Sequence, residues 1–236
     1  MAYGLTQSSS IAKASSQGFT AVDSATLDEA VPFTLEMWIK LASAPSNDSY
    51  VLMSKSGAGA NGYVWRYQDI SGQKKLNLVK AAVVDQDVNI TALTIGTWYH
   101  IAAVQTSTQV EYFVDGSSVG TFSNSSAYIS SGTNLTRLGL VGGAGGSNFD
   151  GQMSLVRFWQ TNRSATDIST NKCNVLGSTT NLGAEWTLDN TLNDNSGNSN
   201  TLTNVNTVTF TSDVPSVCSV VTAPPFISNL LTMGVG

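Results

Sequence analysis

Charge is scarce in this chain. Only 11% of its 236 residues are Asp, Glu, Lys or Arg, and glutamate occurs four times, at Glu29, Glu36, Glu111 and Glu185. Ser, Thr, Asn and Gly take the vacated share, a composition that suits short strands joined by tight polar turns and not long surface helices. Cysteine occurs twice, at Cys173 and Cys218, and histidine once, at His100. Too few soft ligands remain for a zinc site, so the cysteine pair is either a disulfide or two reduced, buried thiols. No apolar run reaches the roughly 18 residues of a membrane-spanning helix. Basic runs are missing too: Lys74-Lys75 is the sole doublet, and the formal net charge is −5. A nucleic-acid backbone or an anionic membrane surface is therefore an unsuitable partner. The N-terminal segment lacks the basic-then-apolar order of a secretory leader, which implies cytosolic synthesis or a mature start. Five Asn-x-Ser/Thr sequons occur, a number expected by chance in so Asn-, Ser- and Thr-rich a chain.

Apolar residues, 41% of the total, are spread along the chain, enough for a continuous core. Their spacing is that of strands. Residues 33–41, FTLEMWIKL, place Phe33, Leu35, Met37, Ile39 and Leu41 on one face and Thr34, Glu36, Trp38 and Lys40 on the other. Residues 62–68 set Tyr63, Trp65 and Tyr67 against Val64, Arg66 and Gln68. Residues 97–105 are apolar on both faces, which predicts a strand near the middle of a sheet with layers above and below. Val110–Val114 and Val119–Phe122, joined through Asp115-Gly116, predict a hairpin. Further strands are expected at Lys75–Val84, Thr136–Val141, Gln152–Gln160, Ala184–Leu188 and Thr207–Phe210, with the Gly-rich residues 142–146 as a flexible loop. Ser164 with Asp167 three positions on predicts the start of the one short helix, ending near Cys173.

Residues 219–236 differ in character. They carry no charge and contain Pro224-Pro225 with Phe226, Ile227, Leu230, Leu231 and Met233, an apolar patch if left exposed. Such a tail either packs on its own domain or docks on a neighbour as an assembly arm.

Four blocks carry a family likeness: residues 33–40 (FTLEMWIK); residues 97–104 (TWYHIAAV) followed by Tyr112–Gly116; residues 149–159 (FDGQMSLVRFW); and residues 182–198, with Trp186, Asp194 and Gly197. Their order resembles the laminin G-like family of the concanavalin A-like lectin and glucanase superfamily, over about residues 3–217. The resemblance implies an all-β, two-sheet antiparallel β-sandwich of jelly-roll type over residues 1–218. Related domains serve as lectins, glycosidases, adhesins and structural modules, among them phage structural proteins and bacterial surface proteins.

Glycosidases of this superfamily need two carboxylates on one strand face, and none of the four glutamates has an acidic residue two positions away. Glu111 and Asp115 share parity, but Asp115 belongs to a turn. His100 lies within the most apolar strand, which favours a core imidazole over a catalytic base. No Gly-x-Ser-x-Gly elbow and no P-loop occurs. A structural calcium ion, as jelly-roll domains often hold, has Asp23 and Asp150 as candidate ligands, with turn formation as the competing role for both. Tyr63, Trp65 and Tyr67 serve equally for stacking on pyranose rings and for core packing.

The expectation is a non-catalytic structural or attachment module that assembles through its surface and C-terminal arm, on a phage virion or a cell surface. A carbohydrate-binding, lectin-like domain is the alternative, and a glycoside hydrolase the third reading. Partners are further copies of the chain, other virion or surface proteins, or glycans.

Overall fold

The computed structural model describes residues 4–57, 61–142 and 147–218. In chain order the strands are β1 Ser8–Ile11, β2 Gly18–Ala21, β3 Phe33–Leu41, β4 Ser49–Ser56, β5 Gly62–Ile70, β6 Gln73–Lys80, β7 Val84–Asn89 and β8 Trp98–Gln105. They continue as β9 Gln109–Val114, β10 Ser117–Ser123, β11 Thr136–Leu138, β12 Gly151–Trp159, β13 Leu182–Trp186, β14 Thr203–Val205 and β15 Thr209–Thr211. A single α-helix among the described residues, α1, spans Ala165–Asn171.

Two antiparallel sheets form. The eight-stranded sheet runs β10-β9-β8-β3-β12-β1-β15, with β13 also paired to β12; the seven-stranded sheet runs β14-β2-β11-β4-β5-β6-β7. Alternation dictates what each strand buries. Phe33, Leu35, Met37, Ile39 and Leu41 of β3 share one core with Tyr63, Trp65 and Tyr67 of β5, and the Phe33 and Tyr63 rings meet at 5.8 Å. Burying side chains of this size supplies the main driving force, on the order of 1.5–3 kcal/mol for each.

The expected hairpin is present as β9 and β10. Asp115 at φ 53° and Gly116 at φ 87° supply the two positive values that match the turn to the twist of its strands. Residues 75–84 are a correction. They form no single strand but the end of β6, a turn, and the start of β7, with Ala82 at φ 57° in the left-handed region. Neither Gly, Asn nor Pro marks that turn, so nothing in the local sequence signals it.

A third layer covers the outer face of the eight-stranded sheet. The capping box of Ser164 and Asp167 starts α1, and Ile168 packs on Ala102, Val104 and Phe113. Cys173 and Cys218 are bonded to each other, and this disulfide packs with Leu5, Trp38 and Leu155. The Trp38 indole N–H donates to the Lys172 carbonyl at 2.6 Å, holding the end of the helix on the sheet. The arm residues Phe226, Ile227, Leu230, Leu231 and Met233 lie outside the described residues, as do residues 143–146 of the Gly-rich loop.

Because the disulfide closes a separation of 45 residues, removing it restores freedom to the unfolded chain. The double variant Cys173→Ser, Cys218→Ser should lose about 3 kcal/mol of stability, or on the order of 10 °C in Tm. Thermal melts with and without reductant test this. Equal Tm values for oxidised, reduced and double-variant protein would rule it out.

Candidate functional site

The parity that sets Tyr63, Trp65 and Tyr67 together also decides their fate, since their shared face is the inner one. All three are 0% exposed in the core between the sheets, so their rings are unavailable for stacking on a sugar. This corrects the expectation of an aromatic binding surface. The opposite parity of β5 carries Arg66 and Gln68 outward, and these residues border a groove of about 490 Å³ on the outer face of the seven-stranded sheet. Ser49 and Asp48 line one side, and Lys75, Asp85 and Asp87 of β6 and β7 the other.

The groove is rich in fixed polar groups. Arg66 donates through a guanidinium NH2 group to Asp85 Oδ1 at 3.1 Å, and Lys75 pairs with Asp87. Outside the groove Lys13 pairs with Asp48, so each carboxylate of the lining has its own cation. Asn77 stands in register between Arg66 of β5 and Asp87 of β7. It is 0% exposed, and neither its side-chain oxygen nor its nitrogen has a hydrogen-bond partner among the described residues; the same holds for Arg66 Nε. An unsatisfied buried amide beneath a polar groove is costly, and it is the type of group that a hydrogen-bonding ligand or an ordered water would complete.

The glutamates occupy other places. Glu36 and Glu185 do approach each other, on the outer face of the eight-stranded sheet, with Arg157 between them. Arg157 Nε donates to Glu185 Oε2 at 2.8 Å and Nη1 to Glu36 Oε1 at 3.1 Å. Both carboxylates are buried, Glu36 at 1% and Glu185 at 0% exposure, under the segment that carries Asn174 and Leu176. Glu29 accepts from the Ser131 hydroxyl at 2.7 Å, and Glu111 from that of Ser118 at 2.6 Å.

Arg157 is the member of this cluster that pattern reading misses. Between Ser154 and Arg157 the pairing of β12 with β3 skips one residue, and Leu155 takes φ 45°. This bulge reverses the parity of the strand, so that Met153 and Phe158 both point inward while Arg157 points outward beside Glu36. A run of Leu155-Val156 in an apolar strand gives no sign of it.

Asp23 and Asp150 do not fit calcium. Lys55 Nζ pairs with Asp23 Oδ1 at 2.7 Å and also with Asp28, so the chain supplies its own cation there. Asp150 accepts from the Ser43 hydroxyl and from the Lys13 backbone N–H at 3.4 Å. Among the described residues no group of three or more His, Cys, Asp or Glu side chains converges, and a site for this ion needs about six oxygen ligands.

His100 is 0% exposed, 3.5 Å from Glu36 Oε2, with neither ring nitrogen hydrogen-bonded among the described residues. Burial pushes its pKa from 6.5 down to about 4, against the attraction of Glu36 and with the help of Arg157 and Lys172. Burial opposes ionisation of Glu36, yet Arg157 and the Trp159 indole N–H hold its carboxyl below the ordinary carboxylate range. Both shifts have the same sign. The unfolded chain takes up a proton on His100 that the folded one refuses, so stability is full above pH 6.5 and falls as pH drops towards 4, by about 3 kcal/mol for this residue. Melts across that range should show a declining Tm that flattens in His100→Gln; an unchanged slope in the variant would remove His100 from the account.

The described geometry has counterparts in known proteins. A family model described as the concanavalin A-like lectin/glucanases superfamily, of laminin G type, matches residues 13–169. A protein from Bacteroides ovatus proposed to bind carbohydrate superposes with a TM-score of 0.68 at 18% identity over 89% of this chain, which spans 60% of that protein's length. A heptameric SAP-like pentraxin from Limulus polyphemus superposes with a TM-score of 0.66 at 16% identity, over 91% of this chain and 97% of its own. No curated protein matches by sequence. With two antiparallel sheets and a family match across most of its length, the chain belongs to the laminin G-like family of the concanavalin A-like lectin/glucanases superfamily.

Proposed function

We propose that this protein is a non-catalytic carbohydrate-binding module and that the groove on the seven-stranded sheet is its glycan site. The observation that carries the reading is the lining itself. Carboxylate acceptors at Asp85 and Asp87 and donors at Arg66, Gln68 and Lys75 stand on three adjacent strands, held rigid by cross-strand pairing. Sugar hydroxyls both donate and accept, so a polyol meets such an array without rearrangement of the protein. The likeness to a protein proposed to bind carbohydrate supports the same reading at the level of fold. The absence of catalysis is part of the proposal, because the two glutamates that converge, Glu36 and Glu185, are buried against Arg157, and the aspartates that converge, Asp23 and Asp28, are both tied to Lys55.

A glycan array followed by calorimetry on the best ligand tests the site. Arg66→Ala and Asp87→Asn should each weaken binding about tenfold, with Tm nearly unchanged, and the bound glycan should stay intact on prolonged incubation. A folded protein that binds nothing on the array, or a double variant that binds normally, would refute it.

Attachment to a larger assembly, on a virion or a cell surface, is a second role that we propose for residues 219–236. Two features support it: the apolar sequence of that segment, and the surroundings of Cys218, which precedes it in the chain. Cys218 is tied to Cys173, and the adjacent Val217, 70% exposed, lines a cavity of about 260 Å³ with Trp38 and Trp98. Deleting residues 219–236 should convert an oligomer to a monomer in native mass measurements. If both forms have the same subunit number, the arm has no part in assembly.

A further inference from the structure

Three cationic side chains among the described residues are almost wholly buried: Arg157 and Lys55 at 0% exposure and Lys80 at 2%. Removing a cation from water demands counter-charge. Arg157 has Glu36 and Glu185, and Lys55 has Asp23 and Asp28. Lys80 has no carboxylate partner among the described residues. Its ammonium donates to the Ser126 carbonyl at 2.6 Å and to Asn124 Oδ1 at 3.3 Å, and lies 5.1 Å from the centre of the Tyr128 ring.

The contrast between the two lysines is local. Lys55 of β4, Tyr63 of β5 and Lys80 of β6 are direct cross-strand neighbours in a single row. Inner parity aims all three at one end of the sandwich, where the chain gives the first lysine two carboxylates and the last one none among the described residues. The hydroxyl of Tyr63, in the middle of the row, is buried with no hydrogen-bond partner among the described residues. Burial alone lowers the Lys80 pKa, with no anion opposing it.

Lys80 also faces space. It lines a cavity of about 340 Å³ together with Thr106, Ser107, Ser125, Tyr128 and Glu29. This volume lies at the small end of ligand pockets, and the wall offers hydroxyl groups around one cation. Glu29, 8% exposed and engaged with Ser131, brings a carboxyl group to the same cavity, which disfavours ligands carrying more than one negative charge.

We propose that this cavity binds a small hydroxylated monocarboxylate, a sugar acid either free or at the end of an acidic glycan, with the Lys80 ammonium as counter-ion to its carboxylate. The site is separate from the groove of Arg66 and Asp87 and does not rest on the glycan reading of that groove. Thr106, Ser107 and Ser125 meet the ligand's hydroxyls, and a neutral sugar of the same shape leaves Lys80 without its partner.

Calorimetric titration of the full chain with sodium glucuronate, with glucose and with a glucuronate-terminated disaccharide tests the proposal. Glucuronate should bind at least about tenfold more tightly than glucose. Binding of the disaccharide as well as the free acid identifies a glycan end as the source, and binding of the free acid alone identifies a small metabolite. Lys80→Met should abolish the preference for glucuronate while leaving Tm unchanged or raised, whereas Lys55→Met, which strands two aspartates, should lower Tm. Equal affinity of the wild-type chain for glucuronate and glucose overturns the proposal with no variant needed. So does failure of glucuronate to bind, or a fall in Tm for Lys80→Met as large as that for Lys55→Met, which would make Lys80 a purely structural cation.

Discussion

Two sheets closing over one apolar interior leave each sheet a single outer face, and what happens to that face decides where ligands can go. The interior takes the large side chains: Trp65, Trp186, Tyr63, Tyr67, Tyr112 and Phe33 are all fully buried. Close packing of such a core allows little adjustment, so the outward residues of each strand are fixed in position once the inward ones are seated. The outer face of the eight-stranded sheet is then covered by α1, the Cys173–Cys218 disulfide and the segment between them. Over β5, β6 and β7 the other outer face stays open, and there the side chains lining the groove are polar except for Ile70.

The covered face keeps Glu36 and Glu185 away from solvent. Arg157 sits between Glu36 and Glu185, and Glu185 also accepts the backbone N–H groups of Leu176 and Gly177 at 3.0 Å and 2.9 Å. Charges buried in this way contribute little net stability, because desolvation offsets most of their attraction. Their effect is geometric: β3, β12 and β13 are held in one register, and the segment after α1 is fastened to the sheet. Removing one partner would leave an uncompensated charge in a dry layer, so the cluster stands or falls as a unit.

Cations are treated differently from place to place, and the difference sets internal ties apart from the positions proposed to meet ligands. Lys55 and Arg157 each have two carboxylates within the chain and act as internal ties. The cations of the groove, Arg66 and Lys75, are paired yet partly open to solvent, which leaves their remaining donors free for a ligand. Lys80 is enclosed without a carboxylate among the described residues, and a chain that neutralises its other two buried cations so thoroughly marks this one as exceptional.

Alternation in the sequence determined a good deal. The limits of β3, the Asp115-Gly116 hairpin, the capping box of α1 and the grouping of Tyr63, Trp65 and Tyr67 all follow from spacing and turn chemistry, which act between residues close in the chain. Spacing could not say which side of β5 faces inward, since both faces of an isolated strand are geometrically equivalent; only packing against the second sheet made the aromatic side the core and the Arg66 side the groove. The turn at Ala82, the bulge at Leu155 and the meeting of Glu36 with Glu185 were equally closed to sequence reading. The bulge and the convergence of the two glutamates on Arg157 arise from pairing between segments far apart in the chain, where a one-residue shift in register moves a side chain from one face of a sheet to the other; the turn joins strands adjacent in the chain, but no turn-favouring residue marks it.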